Sequence, residues 1–273
     1  MHVLKAPMSK GCCRLSRLRD CLPKQEIIMA EIRTKGLILK QTDFGEGNRM
    51  LTIFTENLGV VKAAVYGVKQ KKSRSAAATQ LLSYSDFMLF QGKSEVLSVN
   101  SVTALDSFFP LQEDLLKLSL ASYLAEITAY FMEVNESNPP LLRLLLNTLY
   151  ALAYQNLDPK TAKAVYELRL VASMGYAPNL SACSACGEVR EVGWFSAECG
   201  GAICPDCHTK HRDDLLMSPA AYRALYYILT APEKKVFSFR VSPDVLEEIG
   251  RISEHYLLYC TETQFSSLTY LKN

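Results

Sequence analysis

Five of the nine cysteines in this 273-residue chain fall between Cys183 and Cys207. Cys183 and Cys186 are separated by two residues, as are Cys204 and Cys207, with seventeen residues between the pairs. A C-x-x-C turn brings two sulfurs to one side of a loop, and Gly187 after the first pair permits the backbone bend. Two such turns facing each other make a tetrahedral four-thiolate site with zinc–sulfur bonds of about 2.3 Å. The spacing predicts one zinc ion held by Cys183, Cys186, Cys204 and Cys207. Four thiolates close the coordination shell, whereas a hydrolytic zinc keeps one position open for water. A nucleobase deaminase needs H-x-E upstream and P-C-x-x-C downstream. Here the only upstream histidine is His2, and Ile203 precedes Cys204, so both halves fail. The zinc is expected to be structural. A Cys2His2 finger using His208 or His211 would leave two cysteines over, so both histidines are expected to face solvent. Cys199 precedes the Gly200-Gly201 pair, which suits a turn, and is not expected to be a ligand. Cys260 reads as a core thiol.

Other catalytic chemistry is sparse. The stretch GEGNR has G-x-G but lacks the third glycine and a following helical pattern, so it is no dinucleotide fingerprint. With four histidines in the chain, no Ser/His/Asp or Cys/His arrangement offers itself. Asp213-Asp214 and Glu247-Glu248 read as solvated charges. An enzyme is therefore poorly supported. What remains is Lys62, Lys69, Lys71, Lys72 and Arg74, with Lys35, Lys40 and Arg49 on neighbouring strands or loops. Tyr66, Tyr84, Phe87 and Phe90 are interleaved with them. Small five-stranded barrels bind single-stranded nucleic acid through basic grooves and aromatic stacking. The run KQKKSR alone is a weak signal, since such runs are usually solvated loops, and most of these aromatics are expected in the core.

The elements that must position these residues follow from periodicity and turn signals. EIRTKGLILK, NRMLTIFT, GVVKAAVYG, YSDFMLFQ and EVLSVNSVTAL read as five strands, with SAAATQLL as a short helix after the third. That pattern fits a small closed barrel. After Phe109-Pro110 the spacing turns helical. LQEDLLKLSLASYLAEITAYFMEV places Leu111, Leu115, Leu118, Tyr123, Ile127 and Phe131 near one face. Asn138-Pro139-Pro140 starts the next run, and Asp158-Pro159, Ser218-Pro219 and Ser242-Pro243 repeat the same start chemistry, a capping side chain followed by proline. The expected fold is α+β. It has a small closed five-stranded barrel over residues 29–109, then an all-helical domain over 110–273 with a zinc insert at 183–207.

Composition, 49% hydrophobic and 21% charged, allows a sizeable core. No apolar run is long enough to span a bilayer, so no membrane partner is expected. Residues 1–28 are basic and lack the apolar core of a signal peptide. Met29 reads as the natural start, with 1–28 an upstream extension, disordered if translated; a targeting role is the alternative. Cysteines at C-x-x-C spacing without a secretory signal read as metal ligands in a reducing compartment. A cytoplasmic location is expected. Formal net charge is +2, unevenly spread. Residues 1–28 hold six Lys/Arg against two Asp/Glu, residues 29–109 hold ten against seven, and residues 110–273 hold fourteen against nineteen. An anionic partner is expected on the front third.

Phe44 to Arg74 resembles the amino-terminal barrel of the bacterial recombination and repair family RecO. The shared skeleton is Gly45-Glu46, Arg49, the T-x-F-T run at Thr52–Thr55, Gly59, and Gly67 followed by basic residues and Ser73-Arg74. FSAECGGAICPDC is similar to that family's zinc knuckle and its Gly-Gly turn. The resemblance runs from Met29 to about Tyr270. In that family the position before the Gly-Gly pair is not usually a ligand, which agrees with leaving out Cys199. Residues 1–28 have no counterpart. The resemblance implies an OB-fold that binds single- and double-stranded DNA, and a helical domain carrying the zinc. It implies annealing of complementary strands and help in loading the recombinase RecA onto strands coated by single-stranded-DNA-binding protein (SSB). RecR and the acidic C-terminal tail of SSB are the implied partners. Carried to this chain, Lys35, Arg49, Lys62, Lys69, Lys71, Lys72 and Arg74 are the DNA-contact candidates. The tail needs an apolar pocket with a basic rim, for which Arg143, Lys163 or Arg169 are candidates. Two readings compete: a protein-interaction adaptor with a structural zinc and no direct nucleic-acid role, and a zinc hydrolase or deaminase.

Overall fold

The computed structural model of the protein describes residues 30–67, 74–92, 94–132, 137–189, 191–208 and 213–272. The first five strands close into a barrel: β1 (Ala30–Phe44), β2 (Asn48–Thr55), β3 (Gly59–Val65), β4 (Tyr84–Gln91) and β5 (Leu97–Asp106), in the order β1-β2-β3-β5-β4. A short helix, α1 (Arg74–Ala78), stands between β3 and β4. The 15-residue β1 is long enough to serve two neighbours. Its first half pairs with β4 from Ala30↔Gln91 to Leu37↔Tyr84, and its second half with β2 through Phe44↔Asn48. A register slip between Ile38 and Lys40 marks the bend, as an extra residue in one strand does. Among the described residues, the only parallel pairing in the barrel is β3 with β5, at Ala63↔Leu97 and Ala64↔Ser98. This is an OB-like barrel.

Alternation along the strands fills the interior with Ile38, Leu51, Ile53, Val61, Ala63, Val65, Phe87, Leu89 and Leu97. The aromatics divide. Phe87 is fully buried, and Tyr84 and Phe90 are half-buried. The Tyr84 hydroxyl donates to Glu56 at 2.7 Å. Tyr66 is 58% exposed.

The outward-facing residues Leu37, Leu39, Phe54 and Val60 belong to a second core, continuous with Leu111, Leu120, Leu124 and Leu145. Barrel and helices thus share one packed interior. The helices are α2 (Leu115–Phe131), α3 (Pro139–Tyr154), α4 (Pro159–Ser173), α5 (Pro205–His208), α6 (Pro219–Thr230), α7 (Pro243–Thr261) and α8 (Ser266–Lys272). Their starts follow the expected chemistry. Asn138, Asp158 and Ser218 each accept a backbone N–H in the first turn, while Ser242 begins α7 without a side-chain cap bond.

One helical expectation is corrected. The apolar pattern from Leu111 is not one helix. Phe109–Glu113 forms a 3-10 turn, and Asp114 caps a fresh start by accepting from Leu116 and Lys117. Leu111 is buried, whereas Leu115, at the open end of α2, is 80% exposed and joins no core.

The insert adds a small sheet within the helical part. Strands β6 (Trp194–Ser196), β7 (Gly201–Ile203) and β8 (Leu215–Leu216) lie in the order β7-β6-β8. Phe195, Ala197 and Ala202 join the main core, and Phe195 meets Tyr256 of α7 edge to face at 5.3 Å.

Candidate metal centre and nucleic-acid interface

The two C-x-x-C turns meet. The sulfurs of Cys183, Cys186, Cys204 and Cys207 all lie within 4.8 Å of one another. Each turn closes on itself. Gly187 N donates to Cys183 O at 2.8 Å, and Cys207 N and His208 N both donate to Cys204 O at 3.1 Å. Cys204 N also donates to the Cys183 sulfur at 3.4 Å, tying one turn to the other. Gly201 holds the arrangement from behind. A β-carbon there would stand 2.2 Å from Asn179 O, so only glycine lets β7 cross the Asn179 backbone.

The electrostatics suit a cation. Burial alone would push the Cys183 thiol up, but N–H groups of Cys186, Cys204 and Ala185 bring it down to about 6. The opposite happens at Cys207, raised to about 12 by its hydrogen bond to Cys204, then by burial and the other two sulfurs. Four sulfurs this close cannot all be thiolates without a compensating positive charge. Closely set soft ligands in two short turns fit a zinc-type ion. Cys199 packs beside the cluster but stands outside the set of four. Among the described residues, this is the only group of three or more His, Cys, Asp or Glu placed to hold a metal.

The neighbourhood corrects three expectations of solvent exposure. The His208 side chain is only 33% exposed, stacks on Trp194 at 4.4 Å, and stands 3.3 Å from Asp214. The Asp214 side chain, just before β8 and beside His208 at the end of α5, is 2% exposed. Glu248 also has a structural role, receiving both the backbone N–H and the hydroxyl of Ser218 at the head of α6. His211 lies outside the described residues. Cys260 is half-buried against the main core, as a core-facing thiol should be.

The DNA-contact candidates fall in different places. Lys62 is exposed on the outer face of β3, in register with Thr52 of β2, which pairs in turn with Lys40 of β1. Two lysines therefore flank one threonine across three adjacent strands. Lys35 lies elsewhere, opposite Asp86 on the β1–β4 side, where Arg33 already holds Asp86 at 2.7 Å. Arg49 is committed to local partners. Its guanidinium reaches Asp43 at 3.2 Å and the Thr79 carbonyl at 3.2 Å. Lys69, Lys71 and Lys72 lie outside the described residues, as does the side chain of Arg74. The sequence alone marks Lys40 as a nearby basic residue and not as a DNA contact. The signal that pairs it with Lys62 is strand register, which a slip at Leu39 conceals.

The rim candidates also separate. Arg143 and Arg169 line one cavity of about 400 Å³ with Leu141, Leu144, Leu229 and Val236. Arg169 donates to the Ala231 carbonyl, while its Nε is buried without a partner. Arg143 faces Glu233 at 3.8 Å. Lys163 is not part of that rim; it is drawn inward, 2.8 Å from both Glu167 and Glu254. Among the described residues no helix is long and apolar enough to cross a membrane.

Comparison with known proteins agrees with this architecture. Residues 29–108 match the family model described as recombination protein O N terminal, and residues 112–269 the one described as recombination protein O C terminal. The DNA repair protein RecO of Acetivibrio thermocellus is 36% identical over 245 residues, 89% of this chain and 97% of the relative. That of Alkaliphilus metalliredigens is 31% identical, covering 88% and 98%. That of a Thermoanaerobacter species is 29% identical, covering 90% and 98%. With both halves matched in order and relatives aligned along nearly their whole length, the chain belongs to the RecO family.

Proposed function

We propose that this protein is a DNA-binding recombination mediator in DNA repair, working in the cytoplasm at the nucleoid. It binds single- and double-stranded DNA, anneals complementary strands, and with RecR helps to load RecA onto SSB-coated DNA. The observation that carries this reading is the pair Lys40 and Lys62 on the outer face of an OB-like barrel in a RecO-family chain. In OB-folds the face of the second and third strands takes oligonucleotides.

No bond is made or broken. Lysines near phosphates release counterions and screen the repulsion between two backbones. Complementary strands then meet more often, and base pairing drives the rest without a nucleotide cofactor. Cys183, Cys186, Cys204 and Cys207 would hold a zinc ion, which would supply a cross-link between two short turns and no chemistry on DNA. The chain's own residues carry that cross-link into the helical core through Phe195 and Ala202. A 29–109 barrel unit and a 110–273 helical unit remain the working division of labour. The apolar cavity edged by Arg143 and Arg169 has the chemistry to take the acidic, apolar-ended tail of SSB.

The test uses the full chain. Fluorescent single-stranded oligonucleotides are titrated at rising salt, and annealing of complementary strands is followed without ATP, bare and SSB-coated, with and without RecR. Salt-sensitive binding and ATP-independent annealing are expected. Absence of both at low salt overturns the reading and leaves an adaptor that does not touch nucleic acid.

A further inference from the structure

One exposed aromatic in the barrel has no place in its core. Tyr66 follows directly on β3 and is 58% exposed. Its ring meets Phe44, the last residue of β1, edge to face at 6.1 Å and 80°. Phe44 pairs with Asn48 at the start of β2, and the Asn48 side-chain oxygen accepts the N–H of Gly67 at 3.1 Å. The chain on either side of Tyr66 is thus fixed, by the β2–β3 ladder before it and by Asn48 after it. An aromatic pair held this way costs little further ordering when it receives a ligand.

Its position relative to the lysines matters. Strand alternation puts Lys62, Ala64 and Tyr66 on the same outer face of β3, and Lys40, Thr42 and Phe44 on that of β1, with Met50 and Thr52 of β2 between them. Tyr66 stands four residues along from Lys62, about 13 Å at strand rise. One surface therefore carries positive charge at one end and an exposed aromatic step at the other. The acid nearest Phe44 in the chain, Asp43, is held by Arg49 at 3.2 Å. Charge for a phosphate chain beside a π-face for bases is the recognition chemistry of single-stranded nucleic acid. A duplex hides its base faces and can use only the lysines.

We propose that Tyr66, braced by Phe44, is a base-stacking platform that makes this face prefer single-stranded DNA to duplex. The proposal rests on the DNA-binding reading above and assigns it a specificity residue. A stacked base contributes enough that losing it weakens binding by roughly tenfold or more.

The full chain and its Tyr66→Ala, Tyr66→Phe and Lys62→Glu variants are titrated with three probes: a single-stranded oligonucleotide, the same strand as duplex, and an abasic strand of equal length. Tyr66→Ala is expected to weaken the single strand by about tenfold and to leave the duplex and abasic strands unchanged. Tyr66→Phe should retain wild-type affinity, since the ring and not the hydroxyl stacks. Lys62→Glu should weaken all three. A 2-aminopurine base in the single strand should be quenched on binding wild type and not Tyr66→Ala. If wild type binds and Tyr66→Ala binds the single strand equally well, the platform is overturned and the DNA-binding reading stands. Loss on all three probes assigns Tyr66 to general structure and also overturns it. If wild type binds none of the three at low salt, both fall.

Discussion

Glu167 has no exposed surface, yet it sits in the middle of the helical core. It receives the hydroxyls of Tyr123 from α2 at 2.7 Å and Ser253 from α7 at 2.6 Å. Lys163, one turn earlier on α4, stands 2.8 Å from it and from Glu254. Burial alone would lower the lysine, but the two carboxylates override it and hold it protonated. Burial first, then Glu167, pushes the Tyr123 hydroxyl upward, so that it stays a donor. The network pins three helices at one point, and every member depends on the charge balance. Lys163→Met leaves Glu167 buried and uncompensated, a change that costs about 3–5 kcal/mol. Urea unfolding of the full chain should show that loss in the midpoint. A shift below about 1 kcal/mol would mean that water reaches the carboxylate. Lys163 and Glu167 are spaced i,i+4, which on an isolated helix makes a surface ion pair. Only the packing of α2 and α7 over it turns it into a core feature.

At the scale of elements, the insert is where four cysteines placed to hold a metal meet the helical core. Asn179, just ahead of the Cys183–Cys186 turn, bridges Gly201, while Tyr222 of α6 donates to Leu180 O at 2.7 Å. Tyr256 of α7 donates to Tyr176 O at 3.1 Å. Releasing the metal frees both turns, and with them the backbone partners of α6 and α7. Cys186→Ser, or chelation of the wild type, should therefore lower the Tm of the helical half by ~10 °C for a loss on the order of 3 kcal/mol. The chain has a single tryptophan, Trp194, stacked on His208 beside the cluster, so its emission should shift on chelation before the helices melt. Unchanged emission and Tm after complete metal removal would count against the structural role. The meeting of these four cysteines is readable from sequence because cysteine pairs at this fixed spacing have few other uses. Helix starts are readable because Asn, Asp or Ser before proline is a local signal. The break at Asp114 is not, because the apolar spacing on both sides continues one pattern and only the cap's hydrogen bonds decide. The roles of His208, Asp214 and Glu248 are hidden for the same reason: each depends on a partner that only the fold brings near.

Across the whole molecule, the outer face of the barrel is divided between two tasks. Leu37, Leu39, Phe54 and Val60 are buried against the helices, and this fixes which part of the surface stays open. Lys40, Lys62 and Tyr66 lie on the open part. The excess of Asp and Glu over Lys and Arg beyond residue 110 repels a phosphate backbone from the helical side. On the proposed reading, a nucleic acid would be steered to the barrel by attraction there and by repulsion elsewhere. That geometry has a measurable signature. For a single strand, log K falls with log salt by about 0.7 per neutralised phosphate. Reversing Lys40 and Lys62 to glutamate should make the slope shallower by about 0.7 for each phosphate that the two lysines neutralise in the wild type. Reversing the same number of charges on the helical side, at the exposed Lys234 and Lys235, should leave the slope as in wild type. An equal decrease from both pairs would mean that net charge alone recruits the strand. A decrease from the barrel pair only would locate the phosphates on β1 and β3, because counterion release is counted where the charges stand.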